Sequence, residues 1–235
     1  MTFLRGLFVA ALSALLAFPV IVLVDTLPYR EDLSAIQSKV VKIGVIQMGD
    51  MYVLGSEGGR LTVKKKRVWQ RVGGSGAIIS AKGDILTCAH LFESTEIKKI
   101  YVKTETGQTY LGRLVRIDKD LDLAVLRVDA VRKLPYFVLG NTPKIGDEVI
   151  AAGSPLGMQH TLSFGRVTNV NPNPTRRMLM HGASIAPGNS GGPLIDAYGK
   201  LIGVNVLMYM MSPFAPAPGT NVAVHISTIR EFVRN

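Results

Sequence analysis

From Val40 to Val224 the chain is a succession of short Val- and Ile-rich runs, each closed by Gly, Pro, Asn or Asp, with almost no helical stretch between them. That spacing leaves few folds open. Short apolar runs satisfy their backbones in sheets, and many such strands joined by tight turns close into a barrel or stack as a sandwich. The predicted strands fall into two series. The first comprises Val40–Met48, Gly76–Ser80, Asp84–Thr87, Lys98–Val102, Tyr110–Asp118 and Ala124–Val128. The second comprises Glu148–Ala152, Gly165–Val170, Met178–Met180, Pro193–Asp196, Lys200–Leu207 and Asn221–Val224. Between them, Val131–Gly146 carries Pro135, Gly140, Asn141, Pro143 and Gly146 and reads as a connection between two β units. Ile229, Phe232 and Val233 stand at helical spacing within Ser227–Asn235, which predicts a short C-terminal helix.

Composition removes several classes. Of 235 residues, 47% are apolar and 19% charged, which excludes disorder for most of the chain. Cys88 is the single cysteine, so neither a disulfide scaffold nor a thiolate zinc site fits. His90, His160, His181 and His225 are too scattered for a local metal motif. No metal and no cofactor is therefore expected.

The N-terminus stands apart. Leu7–Val24 holds no charge and is interrupted only by Ser13 and Pro19. At about 1.5 Å per residue a helix over that run spans roughly 27 Å, enough to cross a hydrocarbon core. Arg5 precedes the run and Asp25, Glu31 and Asp32 follow it alongside Arg30, so the positive-inside rule puts the bulk of the chain on the far, extracytoplasmic side. The expectation is an N-terminal hydrophobic helix that contacts the membrane through residues 7–24. A cleaved signal peptide, with secretion of the remainder, is the competing reading. No small-x-small cleavage site after Val20 supports it.

The net charge is +10, and much of the excess sits at Arg60, Lys64, Lys65, Lys66, Arg67 and Arg71. Anionic lipid or nucleic acid would be attracted by such a run, but a solvated basic loop is the plainer reading. With the glycines before it, Gly49–Arg71 reads as a mobile loop. No helix-turn-helix, zinc-finger or aromatic stacking pattern accompanies the run, so no specific nucleic-acid partner is expected.

Three segments carry chemistry. Gly83-Asp84-Ile85-Leu86-Thr87-Cys88-Ala89-His90 places an imidazole at a strand end, a setting that suits a general base. Asp120-Leu121-Asp122 precedes the run Leu123–Val128, where an acid could orient that imidazole. Alone, each residue would more often be structural. The sharpest segment is Ala186-Pro187-Gly188-Asn189-Ser190-Gly191-Gly192-Pro193-Leu194-Ile195. Glycines flanking a serine permit a tight loop whose backbone N–H groups converge on one point, as a developing oxyanion requires. Gly188–Gly192 also satisfies G-x-S-x-G, the α/β-hydrolase elbow. That elbow needs a strand-turn-helix and the order Ser, acid, His. Here Pro193 and a β run follow the serine, and the elbow fails.

Taken together, GSGAIIS with GDILTCAH, DLDLAVLRV, PGNSGGPLI, LIGVN and TNVAVHI resemble the chymotrypsin-fold serine proteases of the HtrA/Deg type. Gly153-Ser154-Pro155-Leu156-Gly157 and Ser163-Phe164-Gly165-Arg166-Val167 fit the same pattern, and the likeness runs from about Val40 to Asn235. The resemblance implies an all-β fold of two six-stranded antiparallel barrels with a short C-terminal helix. Residues 1–30 would be the membrane anchor or signal segment. Residues 31–235 would be the protease domain, its first barrel at about 40–130 and its second at about 146–224. Most such chains carry a PDZ domain, and the resemblance here covers a protease domain alone.

Carried over residue by residue, His90 is the base, Asp122 orients it and Ser190 is the nucleophile. Asp120 is the weaker candidate for the acid. The N–H groups of Gly188 and Ser190 would form the oxyanion hole. Ile185, Asn205, Leu207 and Tyr209 would border the substrate pocket, whose apolar character favours apolar residues before the scissile bond. The implied reaction is endopeptidase cleavage of protein or peptide substrates through an acyl-enzyme. Assembly into homotrimers is common in the family. A catalytically inactive protease-fold binding or chaperone module, tethered to a membrane, is the alternative function.

Overall fold

The computed structural model describes residues 32–57, 60–154, 161–171, 177–212 and 215–234, with residues 57, 207–212 and 215–220 given by their backbone alone. The apolar run Leu7–Val24 lies outside the described residues. Among the described residues, no helix is long and apolar enough to cross a membrane.

A short helix α1 (Leu33–Gln37) opens the described chain, capped by Asp32, whose carboxylate accepts the Ser34 N–H at 2.9 Å. Ile36 anchors it in the interior. Six strands follow: β1 (Val40–Glu57), β2 (Arg60–Ile78), β3 (Asp84–Thr87), β4 (Ile97–Thr104), β5 (Thr109–Asp118) and β6 (Leu123–Val128). They close into an antiparallel barrel in the order β1-β2-β3-β6-β5-β4. The next six are β7 (Glu148–Gly153), β8 (Thr161–Asn171), β9 (Met178–His181), β10 (Pro193–Asp196), β11 (Leu201–Ser212) and β12 (Ala215–His225). They close in the order β7-β8-β9-β12-β11-β10, which is the same path. Two closed six-stranded barrels thus answer the barrel-or-sandwich question.

Strand alternation explains each core. Along β1, Val41, Ile43 and Val45 point inward while Lys42, Gly44 and Ile46 are less buried. The second barrel is filled by Val149, Ala151, Val167, Leu179, Ala183, Leu194, Ile202 and Ala223. Each fully buried Val, Leu or Ile contributes about 1.5–3 kcal/mol. The C-terminal helix α2 (Ile226–Arg234) buries Ile226, Ile229 and Phe232. It is tied to β5 by the Arg116 guanidinium, which donates to the Phe232 carbonyl and lies 5.5 Å from that ring centre.

One sequence expectation is corrected. Gly49–Arg71 is not a loop: β1 and β2 stay in antiparallel register from Val40↔Ala77 out to Glu57↔Arg60. β4 pairs with β1 only as far as Gln47, so the remainder projects as a two-stranded ribbon. Cross-strand hydrogen bonding satisfies the glycine-rich backbone there, and the basic run becomes the outer half of β2.

Candidate active site

β3 ends at Thr87, and the chain turns through Cys88 into one 3-10 turn, Ala89–Phe92, that carries His90. The imidazole is therefore delivered just past the strand end. Leu91 and Phe92 are buried and fix the turn beneath it. Asp122 arrives from the turn before β6, with φ at 55°, the one non-glycine residue of positive φ among the described residues. Asp tolerates this left-handed conformation better than most residues, yet holding it still costs on the order of 1 kcal/mol.

The contacts of Asp122 offset that strain. Its carboxylate accepts the His90 backbone N–H at 2.9 Å. His90 Nδ1 lies 2.9 Å from Oδ2 and 3.1 Å from Oδ1. An ionised carboxylate only accepts, so Nδ1 carries the proton and Nε2 presents its lone pair outward. Asp122 is buried while the imidazole is partly exposed, which shelters the pair yet leaves the ring edge open. Asp120 is exposed and makes no such contact.

Ser190 comes from the other barrel, in the turn between Ile185 and β10. Gly188 has φ at 103° and Gly191 at 83°, conformations that L side chains rarely adopt. A Cβ on Gly191 would fall 2.1 Å from Thr87 Oγ1 and 2.3 Å from the Ser75 carbonyl. The loop is pinned by Gly191 N–H to the Asn205 carbonyl at 2.8 Å and Gly192 N–H to the Asn189 carbonyl at 2.9 Å. Among the described residues, no group accepts the N–H of Gly188 or of Ser190. The Ser190 hydroxyl donates to the Val206 carbonyl at 3.1 Å and makes no hydrogen bond to His90.

Sequence reasoning missed Ser75. This buried residue sits on β2 and knits the two barrels together. Its N–H donates to the Ser190 carbonyl at 2.8 Å and its hydroxyl to the Gly188 carbonyl at 2.7 Å. The hydroxyl oxygen also accepts the Ser154 N–H at 2.8 Å, and the Ser75 carbonyl accepts the Thr87 hydroxyl at 2.7 Å. The Gly-Ser-Gly run that holds it was the available signal, since a small polar residue between glycines permits close backbone approach from both sides.

The predicted pocket residues separate. Ile185 is partly buried and packs on the second-barrel core. Asn205 is fully buried, with its amide donating to the Pro193 carbonyl at 3.0 Å. Its own carbonyl accepts both Gly191 N–H and the Cys88 thiol, so it braces the serine loop. The side chains of Leu207 and Tyr209 lie outside the described residues. His181, at the end of β9, is fully buried and has no hydrogen-bonding partner for either ring nitrogen among the described residues. Burial pushes its pKa down to about 4, a shift only partly offset by Asn205 and Ala183 nearby. Donor atoms of Cys88, His90 and Asp122 lie within 4.8 Å of one another, a closeness that follows largely from the direct His90–Asp122 contact.

The trypsin-like peptidase domain family matches residues 74–204, a span that contains His90, Asp122 and Ser190. The chain belongs to that family. Within it, similarity runs to HtrA-type members. A Synechocystis protein named as the serine protease HhoB is 34% identical over 172 residues, covering 69% of this chain and 39% of its own length. A Chlamydia trachomatis protein named as a DegP-like periplasmic serine endoprotease is 38% identical over 151 residues, covering 60% of this chain and 30% of its own. This trypsin-like chain thus spans well under half the length of those relatives. The solved structure of the HtrA-type protease AlgW with a decapeptide superposes with a TM-score of 0.69 at 26% identity. That match covers 87% of this chain and 67% of the other.

Proposed function

We propose that this peptidase-family domain is a serine endopeptidase of the HtrA type, with His90, Asp122 and Ser190 as its catalytic residues. The observation that carries the proposal is the Asp122 carboxylate held on both the backbone and Nδ1 of His90, at the seam where the serine loop meets the first barrel. Asp122 keeps the proton on Nδ1, so Nε2 is free to act as base. The Ser190 hydroxyl swings from the Val206 carbonyl toward Nε2 when a peptide carbonyl docks. Its oxygen attacks that carbon as the proton passes to His90, and the new oxyanion lies against the N–H groups of Gly188 and Ser190. His90 returns the proton to the departing amine. Water, activated by the same imidazole, then releases the acyl group. Ile185, with Leu207 and Tyr209, would favour an apolar residue before the scissile bond.

The charge asymmetry around residues 7–24 and the periplasmic designation of a relative support an extracytoplasmic, membrane-tethered domain. One observation favours a second reading, a non-catalytic binding module: the Ser190 hydroxyl is spent on Val206 and not on His90. Catalytic hydrogen bonds often tighten only when substrate binds, which leaves the enzyme reading ahead. Labelling with a fluorophosphonate decides between them. The enzyme reading expects labelling of the wild type that disappears in Ser190→Ala and in His90→Ala. A folded wild type that stays unlabelled supports the binding module.

A further inference from the structure

The β1–β2 ribbon takes no part in the site, yet it carries the most unusual surface among the described residues. Side chains on a two-stranded ribbon alternate between its faces, so the register sorts them. One face holds Met48, Asp50, Tyr52, Leu54 and Ser56 opposite Trp69, Arg67, Lys65, Val63 and Leu61. The Lys65–Asp50 ion pair at 2.8 Å lies across this same face. Its large apolar side chains stand in water: Leu61 is 85% exposed, Leu54 74%, Tyr52 67%, Val63 62% and Trp69 49%. Over a length of about 27 Å this face presents an exposed aliphatic end, a charged middle and aromatic rings beside it, a mixture of a kind that marks an interaction surface.

We propose that this face docks on an anionic lipid bilayer. Charge selects the occupant. Arg60, Lys64, Lys65, Lys66, Arg67 and Arg71 lie along β2, where Asp50 pairs with Lys65 and Glu96 with Arg67; with Glu57 counted as well, three bases remain in excess, so a second copy of the ribbon would be repelled. Anionic headgroups complement it, and each base near such a surface adds about 1 kcal/mol of attraction. The distribution suits an interface as well. Leu54, Leu61 and Val63 cluster toward the far end, while Trp69 and Tyr52 sit beside Lys65 and Arg67, and Lys98 lies over the Trp69 ring at 5.5 Å. Aromatic rings with a polar tip settle at the headgroup level, with aliphatic side chains below them. Lys64 and Lys66 project from the opposite face, where their charge still acts over a Debye length of about 8–10 Å.

Trp69 is the one tryptophan of the chain, so its fluorescence reports on this face alone. The full chain is reconstituted with vesicles of phosphatidylcholine, or of phosphatidylcholine with about one-third phosphatidylglycerol. The readout is Trp69 emission and its quenching by acyl-chain-brominated lipid, which is independent of any attachment through residues 7–24. The expected result is a blue shift and quenching on the anionic vesicles, little of either on neutral ones, and reversal by about 0.5 M salt. K64Q/K65Q/K66Q/R67Q and L54S/L61S/V63S should each abolish the shift while keeping the wild-type circular dichroism and melting temperature. Should a variant misfold, the salt titration of the wild type decides alone. Equal emission on neutral and anionic vesicles, or a shift that follows protein concentration without lipid, would overturn the proposal; the latter would assign the face to a second copy.

Discussion

Asp122 performs two tasks with one carboxylate, holding its own strained turn to the His90 backbone and selecting the ring tautomer. Asp122→Asn separates them. An amide of the same shape can still accept the His90 N–H, but it no longer stabilises the imidazolium and permits the wrong tautomer. The fold should persist, and kcat for a peptide substrate should fall by about 10⁴-fold, the loss seen for this substitution in a Ser-His-Asp triad. Unchanged turnover would remove Asp122 from the mechanism. His181 governs pH sensitivity in another way. Its folded pKa of about 4 lies below the ordinary 6.5, so protons bind the unfolded chain first. Stability is therefore full above pH 6.5 and declines as pH falls toward 4, by about 3 kcal/mol from this one group. His225, also lowered by burial and by the charges of Arg177 and Arg230, adds in the same direction. Urea unfolding at pH 7 and at pH 4.5 should show a markedly smaller loss for His181→Gln than for the wild type.

Among the elements, the ribbon is the one that sequence reasoning misread. Val40–Met48 was legible as a strand because Val41, Ile43 and Val45 alternate into a core. From Gly49 outward no core exists to impose that alternation, and glycines with a basic run resemble solvent-facing coil. What orders the ribbon is each strand completing the other's hydrogen bonds, a pairwise property that neither half displays alone. β12 was recognised only at its C-terminal end, Asn221–Val224. The serine loop was legible earlier, since Gly188 and Gly191 hold positive φ in a turn that favours glycine. A ribbon without core residues should be dispensable for the barrel. Replacing Asp50–Arg67 by Asn-Gly leaves Gly49 and Val68 as the closing pair of a two-residue hairpin turn. The expected change in unfolding free energy is within about 1 kcal/mol, since the ion pairs lost with Glu96 and Lys65 are exposed. Fluorophosphonate labelling should be unchanged. A collapse of the fold would show that the ribbon braces β1 and β2 in a way its burial does not reveal.

For the whole molecule, the decisive fact is that His90 and Ser190, the proposed base and nucleophile, stand on different barrels, so their alignment depends on how the seam is held. Ser75 carries much of that seam. Its hydroxyl donates to the Gly188 carbonyl and accepts the Ser154 N–H, joining β2 to the serine loop and to the end of β7. Ser75→Ala removes almost no volume, so packing should survive. It leaves the partly buried Gly188 carbonyl and the buried Ser154 N–H without the partner they had, which costs about 1–3 kcal/mol in global stability. The consequence for labelling should be larger than that cost suggests. The Gly188 carbonyl belongs to the loop whose N–H groups are proposed to hold the oxyanion, and once released it can rotate and carry the peptide plane with it. A displacement of about 1 Å in such a site is worth on the order of 100-fold in rate. Chemical denaturation should therefore report a modest loss for Ser75→Ala, while the rate of fluorophosphonate labelling falls by one to two orders of magnitude at a temperature where the variant is fully folded. Ser75→Thr keeps the hydroxyl and tests the same point from the other side. If labelling falls only in proportion to the unfolded fraction, Ser75 stabilises the seam without positioning the loop.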